Sequence, residues 1–401
     1  MKKTMLTLAA AAMALVACQK SPAVQDLTPE NSPEQSVAAQ AIRFSTNLKN
    51  NDIATKAGAG SVDAWNEQDL YILAWDDSKL AAATEVSEEA GFVIPNVKGT
   101  APATGAADKF MTLYHGLQSD ETTYEPYYYD EQVDSYSFAG YYVDDAVENP
   151  APTAAEGVIT LSEVVIDGAQ DILAGTTDKN ADRVLSGENE GKQVKIDYVY
   201  SAYSARKGVV PDIIFKHMLS KFVFKVQVGG SDAATIAPKL SIQSLTMDAK
   251  ATGSLQIYPD AAITASVDTT TALALQGLDT PITLSNEYVG AYKALANSLM
   301  VIPGEETYTM HLTFKQEGIE LAGNQGEVSY DIDLNIADVQ WKDGVTATET
   351  FAAGKQYNVN IMIYGLEEIK VEVTLSEWEE NGDITYDPDD KEGLEDVPEG
   401  E

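Results

Sequence analysis

One thiol, three imidazoles and many phenols are the side chains here with reactive or recognition chemistry. The thiol is Cys18, the only cysteine in 401 residues. It has no intrachain partner for a disulfide, which leaves its thiolate as an acceptor for a lipid. The imidazoles, His115, His217 and His311, fall on three separate strand-like segments. His217 is bracketed by Phe215, Met218 and Leu219, the setting of a partly buried ring with satisfied nitrogens. The sequence holds no HExxH motif or cysteine cluster for zinc. It has no GxSxG element for a hydrolase nucleophile, and no GxGxxG or phosphate loop. Carboxylates are plentiful, yet nothing in their order picks out an acid–base pair. The expectation is a protein that is not an enzyme and carries no cofactor.

Two patterns invite a binding reading. The run YDPDDKEG at 386–393 alternates acids, but Lys391 and Glu392 stand where an EF-hand loop needs Asp or Asn and then Gly. Neither it nor DEQVD at 130–134 defines a calcium site, and no metal is expected. Tyr124, Tyr127, Tyr128 and Tyr129 are closely spaced. Such phenols can form a flat surface that stacks on sugars or contacts a protein, or they can cover a sheet edge.

The setting of Cys18 gives its chemistry a purpose. Lys2 and Lys3 are followed by a run over 5–17 that is apolar apart from Thr7. This is the layout of a secretory signal, and it is too short to span a bilayer, which takes roughly 20 apolar residues. Leu15, Val16, Ala17 and Cys18 resemble a bacterial lipoprotein signal. The resemblance implies removal of 1–17, diacylation of Cys18 as the new first residue and, with Gln19 following, an outer-membrane destination. Two acyl chains suffice for stable anchoring.

Charge narrows the partners. The chain has 26 basic and 63 acidic residues, a net charge of −37, and loses Lys2 and Lys3 with the signal to reach −39. Such a surface repels phosphate backbones, so nucleic acid is excluded as a partner.

The elements that must carry these residues read as strands. Residues 18–40 are rich in Pro, Ser, Gln and Glu and form a tether. Alternation begins at 41–45, with Ile42 and Phe44 directed inward and Arg43 and Ser45 outward. Period-two segments follow at 70–75, 92–94, 109–114, 136–143 and 194–203. After a break at Arg206, Lys207 and Gly208, one long run covers 213–228. Others follow at 240–247, 253–258, 295–304, 308–314, 328–336, 357–365 and 369–378. In the last, Ile369, Val371, Val373 and Leu375 share a face, as suits an antiparallel sheet with one wet side. The segment 80–90 is compatible with a helix or a surface loop.

Many strands and no helical crossovers imply an all-β chain of packed sheets. The division is a signal at 1–17, a tether at 18–40, β-sandwich domains at 41–207 and 208–378, and an acidic tail at 379–401.

Four features together resemble the fimbrillin-like lipoproteins of Bacteroidetes, the subunits of type V pili and their relatives. They are the signal ending at Cys18; the strand IRFSTN with ATKAG and Trp65 before LYILAW; DYVYSAY followed by IIFKHMLSKFVFKV, with His217, Leu219, Ser220 and Lys221; and AGKQYNVNIMI followed by IKVEVTLSEW, ending at Trp378. The likeness spans roughly 41–378. It implies two tandem transthyretin-like β-sandwich domains and a lipidated precursor from which a surface protease removes the first strand. A strand from another subunit then fills the groove. Here the displaced strand would be 42–46, with Ile42 and Phe44 its core residues. The donor would lie within 357–378. Arg43, Lys49 and Lys56 are the basic residues suited to processing. No arginine follows the strand in the next loop, and the tail extends past Trp378; both depart from a bulk pilin. The expected function is a structural subunit of cell-surface fimbriae, as pilin, tip or accessory component, assembled by strand exchange and supporting adhesion; its expected partners are other fimbrial subunits, the outer membrane through lipid on Cys18, and a host or bacterial surface ligand. The alternative is a lipid-anchored glycan- or protein-binding module that does not polymerise.

Overall fold

The computed structural model describes residues 39–48, 65–103, 106, 110–117, 124–177, 180–184, 193–197, 199–295, 297–319, 326–341, 346–366 and 369–377. Cys18, Lys49, Lys56, Trp378, residues 18–38 of the tether and the acidic tail lie outside these residues. No described helix is long and apolar enough to cross a membrane.

The architecture is all-β, with several sheets. A seven-stranded sheet runs in the order Phe92–Thr100, Asp69–Asp76, Tyr136–Tyr142, Leu173–Thr177, Asp212–His217, Arg43–Leu48 and Phe110–Thr112. Every pairing in it is antiparallel except that of Arg43–Leu48 with Asp212–His217, which is parallel. A four-stranded sheet joins Ala262–Ala265, Thr252–Tyr258, Val158–Val165 and Thr153–Ala155. Two five-stranded sheets make up the rest of the second half. One carries Ser220–Val228, Lys355–Ile363 and Ile369–Glu377; the other carries Leu240–Lys250, Thr307–Gln316 and Glu327–Asn335.

The central strands of the seven-stranded sheet are buried on both faces. Ile42, Phe44, Ile72, Phe138 and Phe215 enter one core, while Leu73, Trp75, Tyr141 and Ala174 enter a second, larger one. That larger core continues through Leu255 and Ile257 into the remaining sheets. Strands buried on two sides lose the inside–outside alternation, and in Tyr136–Tyr142 six of seven residues are buried.

Several expected elements take other forms. The run 213–228 is two strands in two sheets, broken at Met218 and Leu219, where the Met218 amide donates to the Ile172 carbonyl. The strand expected at 194–203 ends at Asp197. Ser201 and Ser204 then exchange side-chain and backbone hydrogen bonds in a capping box that opens the short helix Ala202–Ala205. Residues 80–90 hold one 3-10 turn, Leu80–Ala82, and otherwise turns and bends. Strands on both sides of residue 207 share sheets: Asp212–His217 pairs with Arg43–Leu48, and Thr252–Tyr258 pairs with Val158–Val165.

Candidate functional site

The strand Arg43–Leu48 lies inside its sheet. On one side it pairs with Asp212–His217, Ser45 opposite Asp212 and Leu48 opposite Phe215. On the other it pairs with Phe110–Thr112, Phe44 opposite Met111. Its core face presents Ile42 and Phe44, both fully buried, then Thr46 and Leu48. Three buried apolar side chains contribute about 1.5–3 kcal/mol each. Trp65 closes this face. Its indole N–H donates to the Thr46 carbonyl at 3.1 Å, and its ring meets Phe215 edge-on at 5.2 Å. The Thr46 hydroxyl itself is buried and, among the described residues, has no hydrogen-bond partner.

The opposite face carries a polar clip. Ser45 donates from Oγ to Asp212 Oδ1 at 2.7 Å, and Asn47 donates from Nδ2 to both carboxylate oxygens at 2.9 Å. Burial pushes the Asp212 carboxyl above its ordinary range, and the Ser45 and Asn47 hydrogen bonds pull it back. The expected outward orientation of Ser45 therefore needs correcting. Ser45 does face away from the apolar core, but it is fully buried. A small side chain set between Asp212 and Phe110 on neighbouring strands is covered by both. Arg43, on the same face, is half-buried with its guanidinium 4.8 Å from the centre of the Phe110 ring. A protease would meet it within a paired strand.

The tyrosine run does not form a flat surface. Tyr127 and Tyr129 are buried in the core that holds Phe44. Tyr127 stacks at a tilt on His115, 3.8 Å between ring centres, and Tyr129 meets Tyr136 edge-on. Burial pushes both phenols up. Tyr128 alone is exposed among the three, and only the backbone of Tyr124 is described. The physical reason is pairing. The Ile42 amide donates to the Tyr127 carbonyl at 2.7 Å, the Tyr129 amide donates to the Gln40 carbonyl at 3.0 Å, and Ala41 bridges to Tyr128. The run thus tucks in the chain just ahead of the first strand, with alternate rings inward.

The last strand, Ile369–Glu377, pairs through nine residues with Lys355–Ile363 and lies at the end of its sheet. Among the described residues its outer edge bonds at one point, where the Gln340 amide donates to the Val373 carbonyl and the Leu375 amide to the Gln340 carbonyl. Beside it lies a groove of about 290 Å³ lined by Ile332, Leu334, Gln340 and Val371, among others. The strand Lys355–Ile363, by contrast, has a neighbour on each side.

The histidines do not meet. His217 is buried, with Nδ1 3.0 Å from the buried Asp171 carboxylate, just before the step between two sheets. There the Ser220 hydroxyl donates to the Ala352 carbonyl and the Gly354 amide to the Leu219 carbonyl. The HMLSK phrase is thus a buried junction between sheets. Among the described residues no group of three or more His, Cys, Asp or Glu side chains is placed to hold a metal ion. Asp212 carries little mark in the sequence beyond being a lone acid beside the apolar run PDIIF.

Residues 55–378 match the model of a family described as fimbrillin-like. No curated protein sequence matches the chain. Among solved structures, the chain is similar to a fimbrilin from Porphyromonas gingivalis W83, with 11% identity, 86% of this chain and 100% of that chain covered, and a TM-score of 0.45. The tip fimbrial protein Mfa3 of Porphyromonas gingivalis, C-terminally truncated, is 9% identical over 84% of this chain and 99% of that one, with a TM-score of 0.36. The fimbrial anchor protein Mfa2 of the same species is 9% identical over 85% and 98%, with a TM-score of 0.33. With a match that begins just past the first strand and runs through both cores, the chain belongs to the fimbrillin-like family.

Proposed function

We propose that the protein is a structural subunit of cell-surface fimbriae, acting as pilin, tip or accessory component in adhesion and assembling by strand exchange. Membership of the fimbrillin-like family supports the structural and adhesive role. The observation that carries the exchange mechanism is the interior place of Arg43–Leu48. Removing an interior strand leaves two facing rows of unpaired N–H and C=O groups beside an apolar trench, a template for an incoming strand. Head-to-tail filling of that trench does not close on itself and yields a filament. Ile369–Glu377 is the suitable donor, since among the described residues its backbone is held by one ladder and a single bridge. The proposal includes two tandem transthyretin-like β-sandwich domains, with the step at Met218 and Leu219 between their sheets. It also includes an outer-membrane anchor through lipid on Cys18. The competing role as a non-polymerising glycan binder loses its main support with the burial of Tyr127 and Tyr129.

The test uses protein beginning at residue 19. Trypsin, which accepts Lys49 and Lys56, is added and quenched. Mass is then followed by light scattering and the new N-terminus by sequencing. Oligomer ladders are expected only after cleavage, and a Lys49→Ala, Lys56→Ala variant is expected to stay monomeric. Cleaved protein that remains strictly monomeric refutes the mechanism.

A further inference from the structure

We infer that Asp212 is the specificity-determining residue of the groove: it selects an incoming strand with hydrogen-bond donors two residues apart on the face away from the core, and the occupant it fits is the last strand of a second copy. This rests on the strand-exchange reading.

Three hydrogen bonds reach the Asp212 carboxylate, and all three come from the first strand, through Ser45 and Asn47. Among the described residues no ion pair engages Asp212. In the intact chain the clip therefore sets register. Because strand side chains alternate with a period of two, a slip by one residue would bring Phe44 or Thr46 to the carboxylate and drive Ser45 into the core. Once the first strand is gone, the carboxylate loses all three donors. A strand with apolar side chains on both faces would seal it there unpaired, a strongly unfavourable arrangement. The carboxylate thus excludes wrong strands as well as holding the right one.

The donor pattern recurs at the end of the chain. In VEVTLSE, Thr374 and Ser376 are two residues apart, as Ser45 and Asn47 are. Laid in the direction of the first strand, with Thr374 at the place of Ser45, the segment puts Val371 at Ile42 and Val373 at Phe44. Leu375 falls at Thr46, which replaces the buried unpartnered hydroxyl with an apolar group. Glu377 falls at Leu48, where the described part of the strand ends. Asn358 and Asn360 carry the same spacing, but their strand is held on both sides.

The experiment measures binding of a labelled peptide with the sequence of residues 369–378 to quenched, trypsin-cut protein. Fluorescence anisotropy reports binding, and mass spectrometry reports release of the N-terminal fragment. A second peptide carries Thr374→Val and Ser376→Ala. The cut parent is expected to prefer the first peptide at least tenfold. Cut Asp212→Leu protein is expected to lose that preference, and Asp212→Asn, which keeps the shape, to reduce it. Uncut variants are checked for parent-like circular dichroism, so that a misfolded Asp212→Leu leaves Asp212→Asn to decide. Equal affinity of the cut parent for both peptides overturns the role of Asp212 and leaves strand exchange standing. Retention of the full preference in the Asp212 variants overturns it too. Binding of neither peptide, with no oligomers formed, overturns this inference and the exchange mechanism together.

Discussion

Replacing Phe44 with alanine tests whether the first strand is held mainly by its core face. The ring is fully buried, opposite Met111, in a core closed by Trp65 and Phe215. Truncating a buried phenylalanine costs about 3–5 kcal/mol, the upper end applying where the walls cannot collapse. Sheet strands on both sides resist collapse here, so the upper half of that range is expected. Trp65 is a built-in reporter, since its indole is bonded to the strand carbonyl of Thr46. Urea unfolding followed by tryptophan fluorescence, with a Trp65→Phe background subtracted, isolates this site from Trp75 in the other core. At an m-value of about 2 kcal/mol/M, the Trp65 transition is expected to move down by about 2–2.5 M urea. A Phe44→Leu control, which keeps most of the apolar volume, is expected to move it by less than half as much. A shift below about 0.5 M for Phe44→Ala would show that the strand is not anchored by this face and would refute the reasoning.

Three further outcomes are expected. In Gly175→Ala the new methyl carbon would stand 2.1 Å from the Ile214 carbonyl oxygen on the next strand; backbone cannot yield as a side-chain end can, so a melting temperature within 2 °C of the parent would contradict the packing. His311 bonds Asp331 at 2.7 Å and approaches Asp248 at 3.2 Å, and those carboxylates raise its pKa. The raised value favours the folded protonated form, so the added stability is full below the ordinary histidine range and fades as pH rises through the raised value. A difference in urea midpoint between parent and His311→Gln that does not shrink with rising pH would refute this; half-exposure of the ring keeps the effect small. Cys18→Ala is expected to abolish labelled palmitate incorporation, since the chain has no other thiol, and labelling that persists would exclude the lipid anchor.

What could be read in the sequence depended on how many faces of a strand are wet. The final run was legible because Ile369–Glu377 sits at a sheet end, with Val373 and Leu375 buried and Glu372 and Thr374 half-exposed. The inward placement of Ile42 and Phe44 was legible for the same alternating reason. The break inside 213–228 was not, because strong strand formers flank Met218 and Leu219 and nothing local marks a change of sheet. The tyrosine run misled because composition cannot tell a phenol pointing outward from one paired against the first strand. The clip between Ser45 and Asp212 joins residues 167 apart, and no local pattern could pair them. Ser201 and Ser204 did carry a legible signal, a capping pair, which the surrounding tyrosines masked.

The chain from Asp212 to Val228 has a mechanical consequence. It enters as the parallel neighbour of the first strand and leaves as the parallel neighbour of Lys355–Ile363 across eight residue pairs. In a fibre built as proposed, tension from one subunit would enter at Asp212–His217. It would cross Met218 and Leu219 along covalent bonds and pass to the donor end through that eight-pair ladder. Pulled along its length, such a ladder is loaded in shear, so its hydrogen bonds resist together rather than opening one at a time. The polymer would then owe its tensile strength less to the size of its subunit contacts than to the direction in which two strands run.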